Sequence, residues 1–155
     1  MLQVEVINHV AADLPVELLE RAVRQLMEQR RILRAEISIA IVDDPTIHGL
    51  NQQYLNHDYP TDVLTFPLES PEENGQLVGD VIVSWDTALA NAEELGLQPE
   101  GELLLYVIHG TLHLLGLDDT SEELAAEMRA AEQSCLESLG FPYRYPDDDS
   151  GPSQG

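Results

Sequence analysis

Apolar and polar residues alternate along LQVEVIN, residues 2–8, which predicts a strand with one buried face. The period then changes. Leu18, Leu19, Ala22, Val23, Leu26 and Met27 recur every three to four positions, so a helix is expected from about Pro15 to Arg31, with Asp13 as its N-cap. ISIAIV, residues 37–42, is a second strand. Asp43, Asp44 and Pro45 end it and open a short helix through Leu50 and Tyr54. TDVLTFPL (61–68) and LVGDVIVS (77–84) are two more strands, and the polar turn SPEENGQ (70–76) between them makes them hairpin partners. Three helices follow. Thr87–Leu95 is closed by Gly96, and Glu100–Leu115 is closed near Gly116. The last is capped by Thr120 or Ser121 and runs to about Leu139, with Gly140 and Pro142 behind it. The order β-α-β-α-β-β-α-α-α predicts an α+β (mixed α/β) fold, one four-stranded sheet flanked by helices. Residues 1–142 form one domain in this reading, with no internal repeat or linker. Residues 143–155, ending PDDDSGPSQG, are too polar and turn-rich to pack, and an acidic disordered tail is expected there.

Composition narrows the setting. The 155 residues are 43% hydrophobic, enough for one real core. No apolar run reaches the roughly 18–20 residues of a membrane span. The longest, LLLYVIHGTLHLLG (103–116), carries two histidines and is better taken as a buried helix. MLQVEVINHV lacks the basic-then-apolar order of a signal peptide. Cys135 is the single cysteine, so no internal disulfide forms, and a buried, inert thiol is expected. These features together predict a cytoplasmic protein with no membrane partner. The net charge is −22, and all seven basic residues are arginine. Five of them, Arg21, Arg24, Arg30, Arg31 and Arg34, lie in one segment. Nucleic-acid binders present a basic face, so this charge argues against strong nonspecific binding and leaves the 21–34 segment for backbone contacts.

The chemistry concentrates in HGTLHLLGLDD, residues 109–119. Residues four apart share a helix face, so His109 and His113 point the same way and can bind one metal ion. A catalytic zinc usually has three protein ligands and keeps a fourth position for water. The chain turns at Gly116 and presents Asp118 and Asp119, either of which can complete the set. Two histidines at this spacing also occur in ordinary cores; the turn glycine and the carboxylates behind it favour the metal site. Gly110 inside the helix costs about 1 kcal/mol relative to alanine, which implies close approach by another backbone or a substrate. It also stands where zincin proteases carry their glutamate base, which argues against that mechanism.

The stretch resembles the signature His-Gly-x-Leu-His-Leu-x-Gly-x-Asp-His of the YbeY family, bacterial and organellar endoribonucleases of ribosomal RNA maturation. LNQQYLNHDYPTDVLTFPL (50–68) resembles the family's Leu-Asn…Pro-Thr-Asp-Val-Leu-Ser-Phe-Pro block, and GDVIVS resembles its Gly-Asp-Ile strand. Met128 and Glu132 fall where the family carries Met-x3-Glu. The resemblance runs from about residue 2 to residue 142. It implies a zinc ion, one per chain, held by His109, His113 and, in place of the family's third histidine, Asp119. Asp118 matches the aspartate beside that ligand, where it would cap the turn or support a histidine. The family's arginine after Leu-Asn-x-x-Tyr is Leu55 here, which can neither hold phosphate nor stabilise a phosphorane. Asn56, His57 and Asp58 follow it.

Asp62, Thr61, Thr65, Asp80 and Trp85 each have a structural role and a site role open to them: capping or orienting, sheet residue or substrate contact, solvent or cleft, core or base stacking. The resemblance implies a zinc-dependent single-strand endoribonuclease of 16S rRNA 3′-end maturation and ribosome quality control. Its partners are ribosomal RNA or its precursor, and the small subunit or an associated protein. The alternative is a metal-binding ribosome-assembly factor with weak or no nuclease activity, motivated by Leu55, Asp119 and the charge. A third class, a metal hydrolase of peptides or small molecules, is weakened by Gly110.

Overall fold

The structure is a computed structural model and describes residues 1–55, 62–117 and 120–141. Thr61, Asp118, Asp119 and the tail expected at 143–155 lie outside the described residues, as do Asn56, His57 and Asp58. Ten elements follow one another: β1 (Leu2–Asn8), α1 (Val16–Gln29), β2 (Ala35–Val42), α2 (Asp44–Leu55), β3 (Val63–Glu69), α3 (Pro71–Asn74), β4 (Leu77–Ser84), α4 (Trp85–Leu95), α5 (Pro99–Leu114) and α6 (Glu122–Ser138).

The strands form one sheet in the order β1-β2-β4-β3. The first three are parallel, and β3 runs antiparallel on the edge beside β4. The α+β fold and the β3–β4 hairpin are as expected. Period-2 alternation sends Ile37, Ile39, Ile41, Val81 and Val83 to the face covered by α1 and α5. On the other face, Val42 and Leu64 join Ile47 of α2 in a smaller apolar cluster, with Ala40, Phe66 and Ile82 against it. On α1 the expected stripe is the buried one, with Leu19, Ala22, Val23, Leu26 and Met27 inside.

Local caps differ from the sequence reading in physical detail. Pro15 stands at the α1 N-cap and no side chain caps that end, so Asp13 does not do so. The Pro15 carbonyl accepts the Leu19 N–H at 3.1 Å where the helix begins. α4 begins two residues earlier than expected because the Ser84 hydroxyl accepts the Thr87 N–H at 3.1 Å. That places Trp85 in the first turn, packed half-buried against the main core rather than standing free at a strand end. Ser121, not Thr120, caps α6, accepting the Leu124 N–H at 3.1 Å. The expected polar turn after β3 holds one short helix, α3, opened by Pro71 and closed by Gly75 at φ 76°.

α5 is the central element. Leu103, Leu104, Val107, Ile108 and Leu112 are fully buried on it. Its closeness to the sheet depends on glycine on both sides. A Cβ on Gly110 would stand 2.6 Å from Val81 Cγ1, 3.1 Å from Val63 Cγ2 and 3.2 Å from Thr65 Cγ2. A Cβ on Gly79 of β4 would stand 2.7 Å from a Leu114 methyl. The neighbour at Gly110 is therefore the sheet's side-chain layer, rather than the other backbone or the substrate that the sequence suggested.

Candidate functional site

The helical spacing of His109 and His113 brings their rings together on one side of α5. The two Nε2 atoms are 3.1 Å apart. The ring centroids are 4.7 Å apart and the planes cross at 83°. On the far side of its ring, His109 Nδ1 meets Glu132 Oε2 of α6 at 2.5 Å. The Glu132 side chain is 1% exposed and that of His109 is 22% exposed. One nitrogen of His109 is thus tied to a buried acid, while the other faces its neighbour at a half-open surface.

This donor set fits a metal. Bonds of about 2.0–2.1 Å to a tetrahedral zinc would put two ligand nitrogens roughly 3.3 Å apart, close to the observed spacing. Metal-bound histidines commonly donate their other N–H to a carboxylate, the place Glu132 occupies. Among the described residues no group of three or more His, Cys, Asp or Glu is arranged to hold an ion. Asp119, the expected third ligand, lies outside the described residues.

The other candidates divide between the site and its surroundings. Thr65 packs beneath Gly110, one residue from His109. Asp80 alternates with Gly79 and Val81, which meet α5, so it belongs to the opposite face of the sheet, away from the histidines. Asp62 stands just before β3, where its carbonyl accepts the Ser84 N–H at 3.0 Å and its charge bears on Glu102 and Tyr106. Leu55 ends α2. Arg21, Arg30, Arg31 and Arg34 are exposed. Arg24 is tied to Glu20 at 3.0 Å and to the Leu2 carbonyl at 3.1 Å. Cys135 is buried as expected, and burial pushes its thiol up to about 11.

A second polar group lies two turns before the histidines on α5. Asn91 Nδ2 donates to the Tyr106 hydroxyl at 2.6 Å, and that hydroxyl donates to Glu102. Burial pushes the Glu102 carboxyl up, against the Tyr106 hydrogen bond that holds it down. Burial and the Glu102 charge push the Tyr106 phenol up as well. A hollow of about 220 Å³ opens beside this group, lined among others by Leu97, Glu102, Leu105 and Phe141; neither histidine lines it. The residue pattern did not reveal Glu132 as the partner of His109. Its sequence signals were the match of Met128 and Glu132 to the family's Met-x3-Glu and an acid in register with the apolar positions Met128, Cys135 and Leu136.

The profile of the family described as Endoribonuclease YbeY matches residues 5–140. A protein of that name from Rhodopirellula baltica is 45% identical over 124 residues, covering 78% of this chain and 63% of its own length. This chain therefore spans less than two thirds of that relative. Another of the same name, from Roseiflexus castenholzii, is 40% identical over 149 residues, covering 91% of this chain and 94% of its own. The solution structure of TM1509 from Thermotoga maritima superposes with a TM-score of 0.62 at 31% identity, covering 90% of this chain and 89% of that one.

Proposed function

The chain belongs to the YbeY endoribonuclease family, and from that premise we propose that it is a zinc-dependent single-strand endoribonuclease. Its substrate in this reading is ribosomal RNA or its precursor, at the 3′ end of 16S rRNA and in defective small subunits, in the cytoplasm. The observation that carries it is the pair of Nε2 atoms at 3.1 Å, with His109 held from behind by Glu132. His109 and His113 hold the metal, with Asp119 as the third ligand. A zinc ion held there would supply Lewis acidity toward a phosphodiester. Glu132 fixes the His109 ring against rotation. Gly110 keeps α5 against Thr65 and Val63 of the edge strand, so both imidazoles keep their place beside the sheet. The exposed arginines of residues 21–34 are the candidates for holding RNA backbone.

The test pairs metal content with cleavage. Elemental mass spectrometry on tag-free protein should find one zinc per chain, lost in His113→Ala. Cleavage of a labelled single-stranded RNA should be lost with it while the circular dichroism spectrum stays unchanged. Cleavage that survives in the folded variant would refute the proposal.

Leu55 and Asp119 favour a second reading, a metal-binding ribosome-assembly factor with little nuclease activity. Leucine offers no positive charge to phosphate. A carboxylate ligand cancels part of the metal's charge and makes bound water less acidic than three histidines do. On this reading the double replacement Leu55→Arg with Asp119→His raises cleavage from near zero. No gain from it would count against this reading.

A further inference from the structure

We infer that Glu132 is the positioning residue of this site: it selects the tautomer of His109 and thereby aims a lone pair at the position shared with His113. The inference rests on the metal-site reading above and adds a residue that acts through a ligand.

A neutral imidazole carries its proton on one nitrogen or the other, and only the unprotonated one can bind a metal. In water the Nε2–H form is the more populated, which is the wrong form for a ligand that binds through Nε2. A carboxylate only accepts hydrogen bonds, so Glu132 Oε2 at 2.5 Å requires the proton on Nδ1. Nε2 is then left as the acceptor. It faces His113 Nε2 at 3.1 Å, where it is placed to accept from a His113 Nε2–H.

The placement of Glu132 is specific. Burying a carboxylate is costly unless it is paired. The other glutamates of α6, Glu122, Glu123, Glu127 and Glu137, are all exposed. Glu132 alone stands on the buried face, one turn after Met128 and one turn before Leu136, each at most 2% exposed. Those two side chains, seated in the main core, fix the rotation of α6 and so the direction of the carboxylate. At 1% exposure the acid is shielded from water that would compete for the imidazole N–H, and the low dielectric strengthens the contact.

The test uses the full chain, with Glu132→Ala and the isosteric Glu132→Gln. In the metal-free protein, long-range proton–nitrogen spectra of the imidazoles report the tautomer directly. The parent should have His109 protonated at Nδ1, and Glu132→Ala should move it toward the Nε2–H form. Glu132→Gln keeps an acceptor and so the tautomer. Zinc affinity, read by competition with a chromophoric chelator, should fall by about 10–100-fold in Glu132→Ala and by about tenfold in Glu132→Gln. An acid that merely joined α5 to α6 would alter the melting temperature and leave the tautomer alone. A parent with the proton on Nε2, or a folded Glu132→Ala that binds zinc within about twofold of the parent, overturns the inference. If Glu132→Ala does not fold, the parent spectrum decides. If the parent takes up no zinc, the metal reading fails, and the tautomer measurement still judges Glu132 separately.

Discussion

Two acids are buried against α5, and they serve different ends. Glu102 is 6% exposed and Glu132 is 1% exposed. Glu102 sits on α5 itself and meets a phenol, Tyr106, whose hydroxyl also accepts from Asn91. The charge of Asp62 presses on the same spot. Burial wins over the single neutral hydrogen bond, and the Glu102 carboxyl is pushed up toward its protonated form. Glu132 comes from the neighbouring helix and meets an imidazole nitrogen. Its hydrogen bond does more than satisfy the acid, because the imidazole has a second nitrogen, which faces His113 Nε2 at 3.1 Å. The use of a buried carboxylate is set by its partner: the phenol links Glu102 to Asn91 away from the histidines, and the imidazole links Glu132 to the histidine pair.

The sharpest way to break this comparison is to ask which acid the metal feels. His113→Ala should lose zinc altogether, a larger loss than the about 10–100-fold expected from removing a partner behind a ligand. Glu102→Gln should leave zinc affinity unchanged in the same chelator competition. Zinc loss in Glu102→Gln would join the two polar groups into one site and end the distinction.

A second test moves the helix that carries both groups. Gly110→Ala forces a Cβ into Val81, Val63 and Thr65, and should cost about 1–3 kcal/mol in urea denaturation. Gly49→Ala on α2 is the control. No atom lies within 4 Å of the Cβ it would add, so it should stabilise by about 0.4–1 kcal/mol.

The pH dependence of stability sharpens the account of Glu102. Its folded value is raised above the ordinary 4.5 by burial. The stability it contributes is therefore fully present below that ordinary value and is lost as pH rises through the folded one. Glu102→Gln removes this loss. Its stability relative to the parent should grow from pH 4.5 toward neutrality, read from urea midpoints. A difference independent of pH would mean that the fold does not raise the Glu102 carboxyl.

The smallest expected effect concerns Cys135. With its thiol pushed up to about 11 by burial, it should react with iodoacetamide at pH 8 only as fast as the fold opens. Rapid labelling of the native chain would contradict its place in the core.

Much of this was legible in the chain because it depends on local period. Alternation fixed which residues of β2 and β4 face α5, and the α1 stripe was readable except that Leu18 lies half-buried at its edge. The pairing of His109 with His113 follows from helix geometry alone. Caps were harder. Asp13, Ser84, Thr120 and Ser121 are all residues that cap helices, and which one does so depends on where the chain turns. Asp80 could not be assigned to a side of the sheet without knowing that Gly79 and Val81 meet α5.

The sequence by itself determined the helical and strand periods, the histidine pair, the family, and the absence of a base at Gly110. These are properties of neighbours within about one or two helical turns, where backbone geometry dictates what shares a face. Only the tertiary structure decided that Glu132, 23 residues beyond His109, stands behind its ring, and that the glycine between the histidines seats α5 on Val81, Val63 and Thr65. The angle at which α6 crosses α5 and the depth at which α5 settles on the sheet come from packing whole side-chain layers together. No local pattern in the chain encodes them.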